Sequence, residues 1–296
     1  MALTTRPITP DFAAEIDGID LSRPLDDAMV RAIWDVIDRY CVLVFHDQRL
    51  TDAQLKDMAE KFGPLEIGRS AASGGKRRLA IPQIGDISNL DINNNVRSLT
   101  DRRRLDSLGN RLWHTDASYM PVPVVLGMLH AVAVPPASPF GNGETEFCDL
   151  RAAYDSLPEA TRREIDPLIA EHDIFYSRGQ IGFTEFAPGE REQYPPSPQR
   201  LVRMHHGSKR KTLYLSAHAS HIRGWPVAYG RLLLMDLNAH ATQELFVYSH
   251  TWRTGDLVIW DNRCTMHRGR PHDEMAPRDL RRATTLDTAS TLDQVA

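Results

Sequence analysis

Short strand-like runs bounded by turn residues limit what this chain can fold into more than any other feature of its sequence. Cys41-Val42-Leu43-Val44-Phe45, Val124 to Val134, Glu144-Thr145-Glu146-Phe147-Cys148 and Leu257-Val258-Ile259-Trp260 are rich in β-formers and flanked by Gly, Pro, Asp or Asn. Many such strands with few helices point to an antiparallel β architecture of the sandwich or jelly-roll kind. A jelly roll is open at one end, and small-molecule sites form in such mouths. With 296 residues and 42% apolar content the chain can bury one substantial core, and we read residues 1–296 as a single domain.

In chain order, residues 8–21 read as a β-hairpin broken by Gly18. A helix then follows from Asp26 or Asp27 with Ile33, Val36, Ile37 and Tyr40 on one face. Thr51-x-x-Gln54 is a capping box for a second helix running to about Phe62, stopped by Gly63-Pro64. Residues 67–110 and 179–200 read as long loops near the active site, and the basic clusters Lys76-Arg77-Arg78 and Arg102-Arg103-Arg104 as solvated charge. Ser156-x-x-Glu159 suggests a further helix carrying Ile165, Leu168 and Ile169, and another is expected from Pro226 to about Ala241. Residues 201–205 and 212–215 should pair around Gly207. Residues 246–252 should form a hairpin with 257–260 across Thr254-Gly255-Asp256.

The histidine and aspartate of Trp113-His114-Thr115-Asp116 stand two positions apart, so on an extended strand or strand end they point to the same side. That is two thirds of the two-histidine, one-carboxylate set that holds non-haem Fe(II) with three positions open. His-x-Asp is short enough to recur by chance and needs a third ligand to carry weight. His267, placed after a strand and a turn in Asp256 to Gly269, is a candidate. Arg278 and Arg282, four apart, share one strand face and suit the same cavity, where an arginine is costly without an anion.

Trp113-His114-Thr115-Asp116, Thr145-Glu146-Phe147, Trp260-Asp261-Asn262-Arg263 to His267-Arg268-Gly269 and Arg281-Arg282-Ala283-Thr284-Thr285 together resemble the taurine and 2,4-dichlorophenoxyacetate dioxygenase family of Fe(II)/2-oxoglutarate enzymes. The resemblance spans nearly the whole chain, with residues 144–155, 217–221 and 281–287 closest to the 2,4-dichlorophenoxyacetate branch. It implies a double-stranded β-helix, a jelly roll of the cupin kind. It implies His114, Asp116 and His267 as the catalytic iron ligands, Arg278 and Thr145 as contacts of 2-oxoglutarate, and Arg282 with His218 as contacts of the substrate carboxylate. Fe(II), 2-oxoglutarate and O2 are the implied cofactor and co-substrates, with stimulation by ascorbate expected. The implied reaction hydroxylates an aryloxyalkanoate such as 2,4-dichlorophenoxyacetate beside its ether oxygen, and releases a phenol and glyoxylate with succinate and CO2. Loops 67–84, 91–109 and 179–200 depart from the family pattern and leave substrate identity open.

Three alternatives stay on the table. Arg282 would also bind the sulfonate or sulfate of a taurine, alkylsulfonate or alkylsulfate dioxygenase substrate. A zinc hydrolase uses the same ligand types but has no need of two cavity arginines. A non-catalytic jelly-roll binding protein would keep the site without turnover. Trp113, next to an expected ligand, is read as core packing, with the metal's open side as its other option.

A net charge of −4 gives no reason to expect nucleic acid, and no run of 18 apolar residues could cross a membrane. A cytoplasmic enzyme for a small anionic substrate, assembled as a homo-oligomer, is the expectation. Cys41, Cys148 and Cys264 are widely spaced and read as small buried thiols rather than as a disulfide framework or a zinc site.

Overall fold

The computed structural model describes residues 3–68 and 76–294. Residues 69–75, inside the first expected loop, lie outside that description. A seven-stranded sheet forms the centre, in the order Thr4–Pro7, Ala13–Asp17, Val42–Phe45, Leu257–Asp261, Val124–Ala133, Asp279–Leu286 and Gly85–Ser88. Its pairs are antiparallel except Ala13–Asp17 with Val42–Phe45, which run parallel. A three-stranded antiparallel sheet, Val247–His250, Thr145–Asp149 and Thr265–Gly269, packs against one face of it. Mostly β sheets with flanking helices is thus the observed class.

Period-two alternation decides which side each strand residue serves. Leu43, Phe45, Leu126, Met128, Leu257 and Ile259 pack with Ile33, Ile37, Leu55 and Met58 from the helices Asp27–Tyr40 and Asp52–Ala59. Their strand neighbours Val42, Val44, Leu129, Ala131, Val258 and Trp260 pack with Phe147 of the smaller sheet. Each fully buried side chain of this size contributes about 1.5–3 kcal/mol, so the two layers hold one register. The same alternation splits the last strand. Arg281, opposite His130, reaches Asp52 on the helix side at 3.1 Å, whereas Arg282, opposite Leu129, faces the space between the sheets.

Behind the smaller sheet a third layer buries Trp113, Cys148, Leu150, Leu215, Leu234 and Met266 together. It comprises the helix Val227–Ala241, the hairpin Val202–His205 with Arg210–Leu213, and the sheet of Ala219–Ile222, Ile169–His172 and Ser197–Arg200. Both early helices start as their sequences predict, with Asp26 accepting from the Met29 N–H at 2.8 Å and a closed capping box at Thr51 and Gln54. Among the described residues no helix is long and apolar enough to cross a membrane.

Several expectations need correction. The first hairpin uses Thr4–Pro7 and Ala13–Asp17, with the reversal at 8–12, where Thr9 Oγ accepts from the backbone of Phe12 and Ala13. Residues 246–252 and 257–260 do not pair with each other. Val247–His250 joins the small sheet beside Thr145–Asp149, while Leu257–Asp261 lies between two strands of the large one. Residues 251–256 therefore carry the chain across the sandwich, from the small sheet to the large one. Ser156 ends the helix Leu150–Asp155 instead of opening a capping box, and the helix Glu159–Ile165 starts from Pro158; Ile169 begins a strand.

The long loops are less bare than expected. The first holds, besides the strand Gly85–Ser88 that its strand-like run Ile84 to Ile87 suggests, the helix Arg102–Ser107, N-capped by Asp101; the second holds the helix Glu190–Gln193 and the strand Ser197–Arg200. Nor are the basic clusters simply solvated. Arg78 lies between Asp86 and Asp279, each at 2.6 Å, which ties the loop to the last strand, and Arg104 reaches Glu274, ahead of that strand, at 2.8 Å.

Candidate active site

His114 and His267 are brought together by backbone geometry. They form an isolated antiparallel bridge, each N–H donating to the other's carbonyl at 3.0 and 2.8 Å, and their rings lie 4.3 Å apart. The His114 Nδ1–H donates to the Leu112 carbonyl at 2.8 Å, which leaves Nε2 with its lone pair on the inner side. The chain does not continue as a strand to Asp116, as the spacing had suggested. It turns at Ala117, where φ is +46°, and the Asp116 N–H donates to Asn262 Oδ1 at 3.1 Å. The turn still delivers the carboxylate to the same place, with Oδ1 3.9 Å from His114 Nε2 and Oδ2 3.8 Å from His267 Nε2.

The ligating atoms of the three residues all lie within 4.8 Å of one another, and all three residues are buried. Asp116 Oδ2 finds no hydrogen-bond partner among the described residues, which is costly for a buried carboxylate and leaves that atom available to a cation. Burial pushes the His267 imidazole down to about 3 and lowers His114 as well, so both stay neutral and able to ligate. Two imidazoles and one carboxylate with an orphaned oxygen suit a divalent ion such as Fe(II).

Two cavities meet at this cluster. The first is walled by Thr145, Trp260, His272, Glu274 and Arg278. Thr145 Oγ accepts from the Trp252 indole N–H at 3.0 Å, so its own hydrogen is free to be donated into the cavity. Arg278 precedes the last strand, and a bulge at Asp279 and Leu280 sets the strand's facing there. Its guanidinium has no carboxylate within ion-pair distance among the described residues, and burial pushes it down to about 10 against a weaker opposing pull from Glu274. It is a cation short of counter-charge.

The second cavity is lined by Glu66, Tyr119, Ile174, Arg178, His218 and Arg282, on the other side of His114 and Asp116. His218 is buried, with Nδ1 2.9 Å from Ser177 Oγ and its ring 5.0 Å from Tyr119. Arg282 requires a correction. The sequence leaves it as a second cation without a partner, but Nη1 donates to Asp116 Oδ1 at 2.8 Å and Nη2 lies 3.9 Å from Glu66. Burial alone would lower its pKa, yet Asp116 and Glu66 outweigh that and hold it raised. Arg282 therefore orients the carboxylate of the cluster while facing the second cavity.

Three residues of the walls were missed by sequence reasoning. Arg178 reaches Asp106 at 2.9 Å by crossing Gly109, where a Cβ would come within 2.1 Å of the guanidinium. Trp260 places its ring 4.7 Å from His267, over Gly127, whose absent side chain makes the room. His272 stands in the first cavity near Arg278. An unexplained glycine opposite a long or flat side chain is the only sequence signal for the first two; His272 has none, because the return of residues 269–279 sets its place. Trp113 follows the packing option: it is buried in the third layer, away from the cluster, with Arg268 stacked 4.6 Å from its ring.

The model of the family described as taurine catabolism dioxygenase TauD, TfdA family matches residues 4–284. The chain is 45% identical over 289 residues to the alpha-ketoglutarate-dependent 2,4-dichlorophenoxyacetate dioxygenase of Cupriavidus pinatubonensis, covering 98% of this chain and 99% of that one. It is 43% identical to the protein of that name from a Burkholderia species, covering 97% and 95%. The crystal structure of AAD-2 in complex with Mn(II) and N-oxalylglycine superposes with a TM-score of 0.89 at 44% identity, over 99% of this chain and 100% of that one. A full-length family match, together with two near-full-length relatives of this identity, establishes that the chain belongs to the taurine catabolism dioxygenase TauD, TfdA family.

Proposed function

We propose that this chain is an Fe(II)- and 2-oxoglutarate-dependent dioxygenase that oxidises an aryloxyalkanoate, of the 2,4-dichlorophenoxyacetate class, at the carbon beside the ether oxygen. The observation that carries the reading is the buried His114, Asp116 and His267 cluster, with an unpartnered carboxylate oxygen, at the junction of two cavities that each present arginine. The relatives named above act on 2,4-dichlorophenoxyacetate, and their near-complete coverage supports the substrate class.

In this reading His114, Asp116 and His267 hold the iron. Bound Fe(II) with 2-oxoglutarate and O2 would supply the C–H oxidation, with succinate and CO2 as co-products. The residues of the chain position what reacts. Arg278 pairs with the distal carboxylate of 2-oxoglutarate and Thr145 donates its free hydroxyl hydrogen to it, which fixes a flexible diacid in one pose. Arg282 keeps Asp116 oriented, and with His218 and Arg178 it supplies N–H donors to the second cavity, to which the substrate carboxylate is assigned. Its ether-side C–H is then held towards the metal. Hydroxylation there gives a hemiacetal that collapses to a phenol and glyoxylate.

We further read the seven- and three-stranded sheets as the two faces of one double-stranded β-helix in a single domain over 1–296. The rings of Phe147 and Trp260, meeting at 5.5 Å between the sheets, support this. A cytoplasmic homo-oligomer is the accompanying assignment; the exposed apolar side chains of Tyr229, Leu232 and Met235 on the helix Val227–Ala241 support the assembly. Sedimentation equilibrium tests the assembly. For the reaction, a panel of aryloxyacetates, aryloxypropionates, sulfonates and alkyl sulfates is scored for succinate and organic product. Phenol release from the aryloxy acids is expected; robust sulfonate or sulfate ester oxidation without phenol release overturns the substrate class.

A further inference from the structure

Behind the active site, two of the three cysteines meet. Cys41 Sγ and Cys264 Sγ lie 3.1 Å apart, both fully buried, although 223 residues separate them in the chain. The ladder brings them together: Val42 pairs with Trp260, and the Asp261 N–H donates to the Cys41 carbonyl at 2.9 Å. Cys41 also occupies a position that a cysteine does not favour. It closes the helix Asp27–Tyr40 with φ +59°, a left-handed conformation in which glycine is the inexpensive choice. Charged groups surround the pair. His205 Nε2 is 3.0 Å from Asp261, and the guanidinium of Arg151, bonded to Asp149 at 3.0 Å, also reaches the Arg39 carbonyl, two residues before Cys41, at 3.0 Å. Cys148, also buried, makes no such sulfur contact among the described residues.

We propose that Cys41 and Cys264 are a redox pair that closes to a disulfide under peroxide and loosens the neighbouring metal cluster when it does. One thiol sulfur attacks the peroxide O–O bond, giving a sulfenic acid and water; the second sulfur then displaces the sulfenic hydroxyl as a second water. Two thiols are oxidised by two electrons, and one peroxide is reduced. The sulfurs must close by about 1 Å to reach disulfide length, which pulls on residues 261–265. That turn carries Asn262, which holds the Asp116 N–H, and Thr265, whose carbonyl accepts from Thr115 Oγ at 3.0 Å. The pull therefore arrives at the backbone of Asp116 and at Thr115, which lies between two of the expected ligands. Burial pushes the Cys264 thiol well above its ordinary range, which makes its sulfur a slow nucleophile.

The coupling to the metal rests on the proposed iron site, whereas disulfide formation does not. The full-length chain, loaded with Mn(II) so that peroxide meets no iron, is treated with a few equivalents of hydrogen peroxide, alkylated and peptide-mapped. A peptide pair linked through Cys41 and Cys264, with Cys148 alkylated and the link reversed by dithiothreitol, is the expected result. The Mn(II) dissociation constant of the oxidised protein should rise about tenfold or more over the reduced form, in line with losses on disturbing the support of metal ligands. Cys41→Gly, which suits the left-handed position, should fold and bind Mn(II) as the parent does but show no response to peroxide. Recovery of Cys41 and Cys264 both as free thiols overturns the redox pair. So does isolation with stoichiometric zinc on these thiols that protects them until a chelator is added. A disulfide that leaves Mn(II) affinity unchanged overturns the coupling.

Discussion

Replacing Arg278 by glutamine separates the cost of holding a cation in the cavity wall from the use made of it. The guanidinium's folded pKa lies below its unfolded one, pushed down to about 10 by burial, so its charged form destabilises the fold at every pH below about 10 and the penalty fades only above that. A displacement of this size corresponds to about 3 kcal/mol, part of which cavity solvent screens, so removing the charge should stabilise the unliganded protein by about 1–3 kcal/mol. The backbone bond from Arg278 N–H to Asn89 Oδ1 is untouched by the change. Loss of the carboxylate pair should weaken 2-oxoglutarate binding by about 2–5 kcal/mol, roughly 30-fold to several thousandfold. Urea denaturation of the unliganded protein at pH 7 reads the first effect, and calorimetric titration of 2-oxoglutarate into the Mn(II)-loaded protein reads the second. A variant clearly less stable than the parent, or one that keeps parental 2-oxoglutarate affinity, refutes the reasoning.

Other perturbations probe the second cavity. Because Arg282 holds Asp116, Arg282→Ala should lower kcat as well as weaken aryloxyacetate binding, and an effect confined to KM for the substrate would separate the residue from the metal cluster. Arg178→Gln should raise KM for aryloxyacetates roughly tenfold or more while leaving that for 2-oxoglutarate unchanged, since it lines only the second cavity; the reverse pattern would exchange the cavities' roles. Turnover with 2-oxoglutarate but no primary substrate should add oxygen to Trp260, 4.7 Å from His267, and spare Trp113. Peptide mapping that finds Trp113 modified and Trp260 intact would contradict the packing of both.

The parts of the fold legible in the sequence are those that local chemistry decides. Asp26, Thr51 and Gln54 announce helix starts because a cap satisfies orphaned N–H groups within one turn, and Val42–Phe45 and Leu257–Asp261 read as strands because they are buried on both faces. Strand pairing was not legible where partners lie far apart. The chain reverses at Thr254-Gly255-Asp256 as a hairpin would, yet its flanking strands join different sheets, and only burial of Phe147 against Trp260 decides that. The site divides in the same way. His114, Asp116 and His267 are carried by motifs and Arg278 by its spacing from Arg282, whereas the Arg282–Asp116 pair, the reach of Arg178 over Gly109 and the meeting of Cys41 with Cys264 arise from contacts between segments more than sixty residues apart. The left-handed Cys41 had no sequence signature beyond its place at the end of a helix.

The central claim is that one cluster, His114, Asp116 and His267, supports the coupled oxidation of 2-oxoglutarate and an aryloxyalkanoate. It is tested most directly by incubating the parent and Asp116→Ala proteins with Fe(II), 2-oxoglutarate, O2 and 2,4-dichlorophenoxyacetate, and quantifying succinate and phenol together. The parent should release the two in equal amounts, and the variant, folded by circular dichroism, should release neither. Phenol formed by the variant at the parental rate, or succinate from the parent that is never accompanied by phenol, would contradict the account.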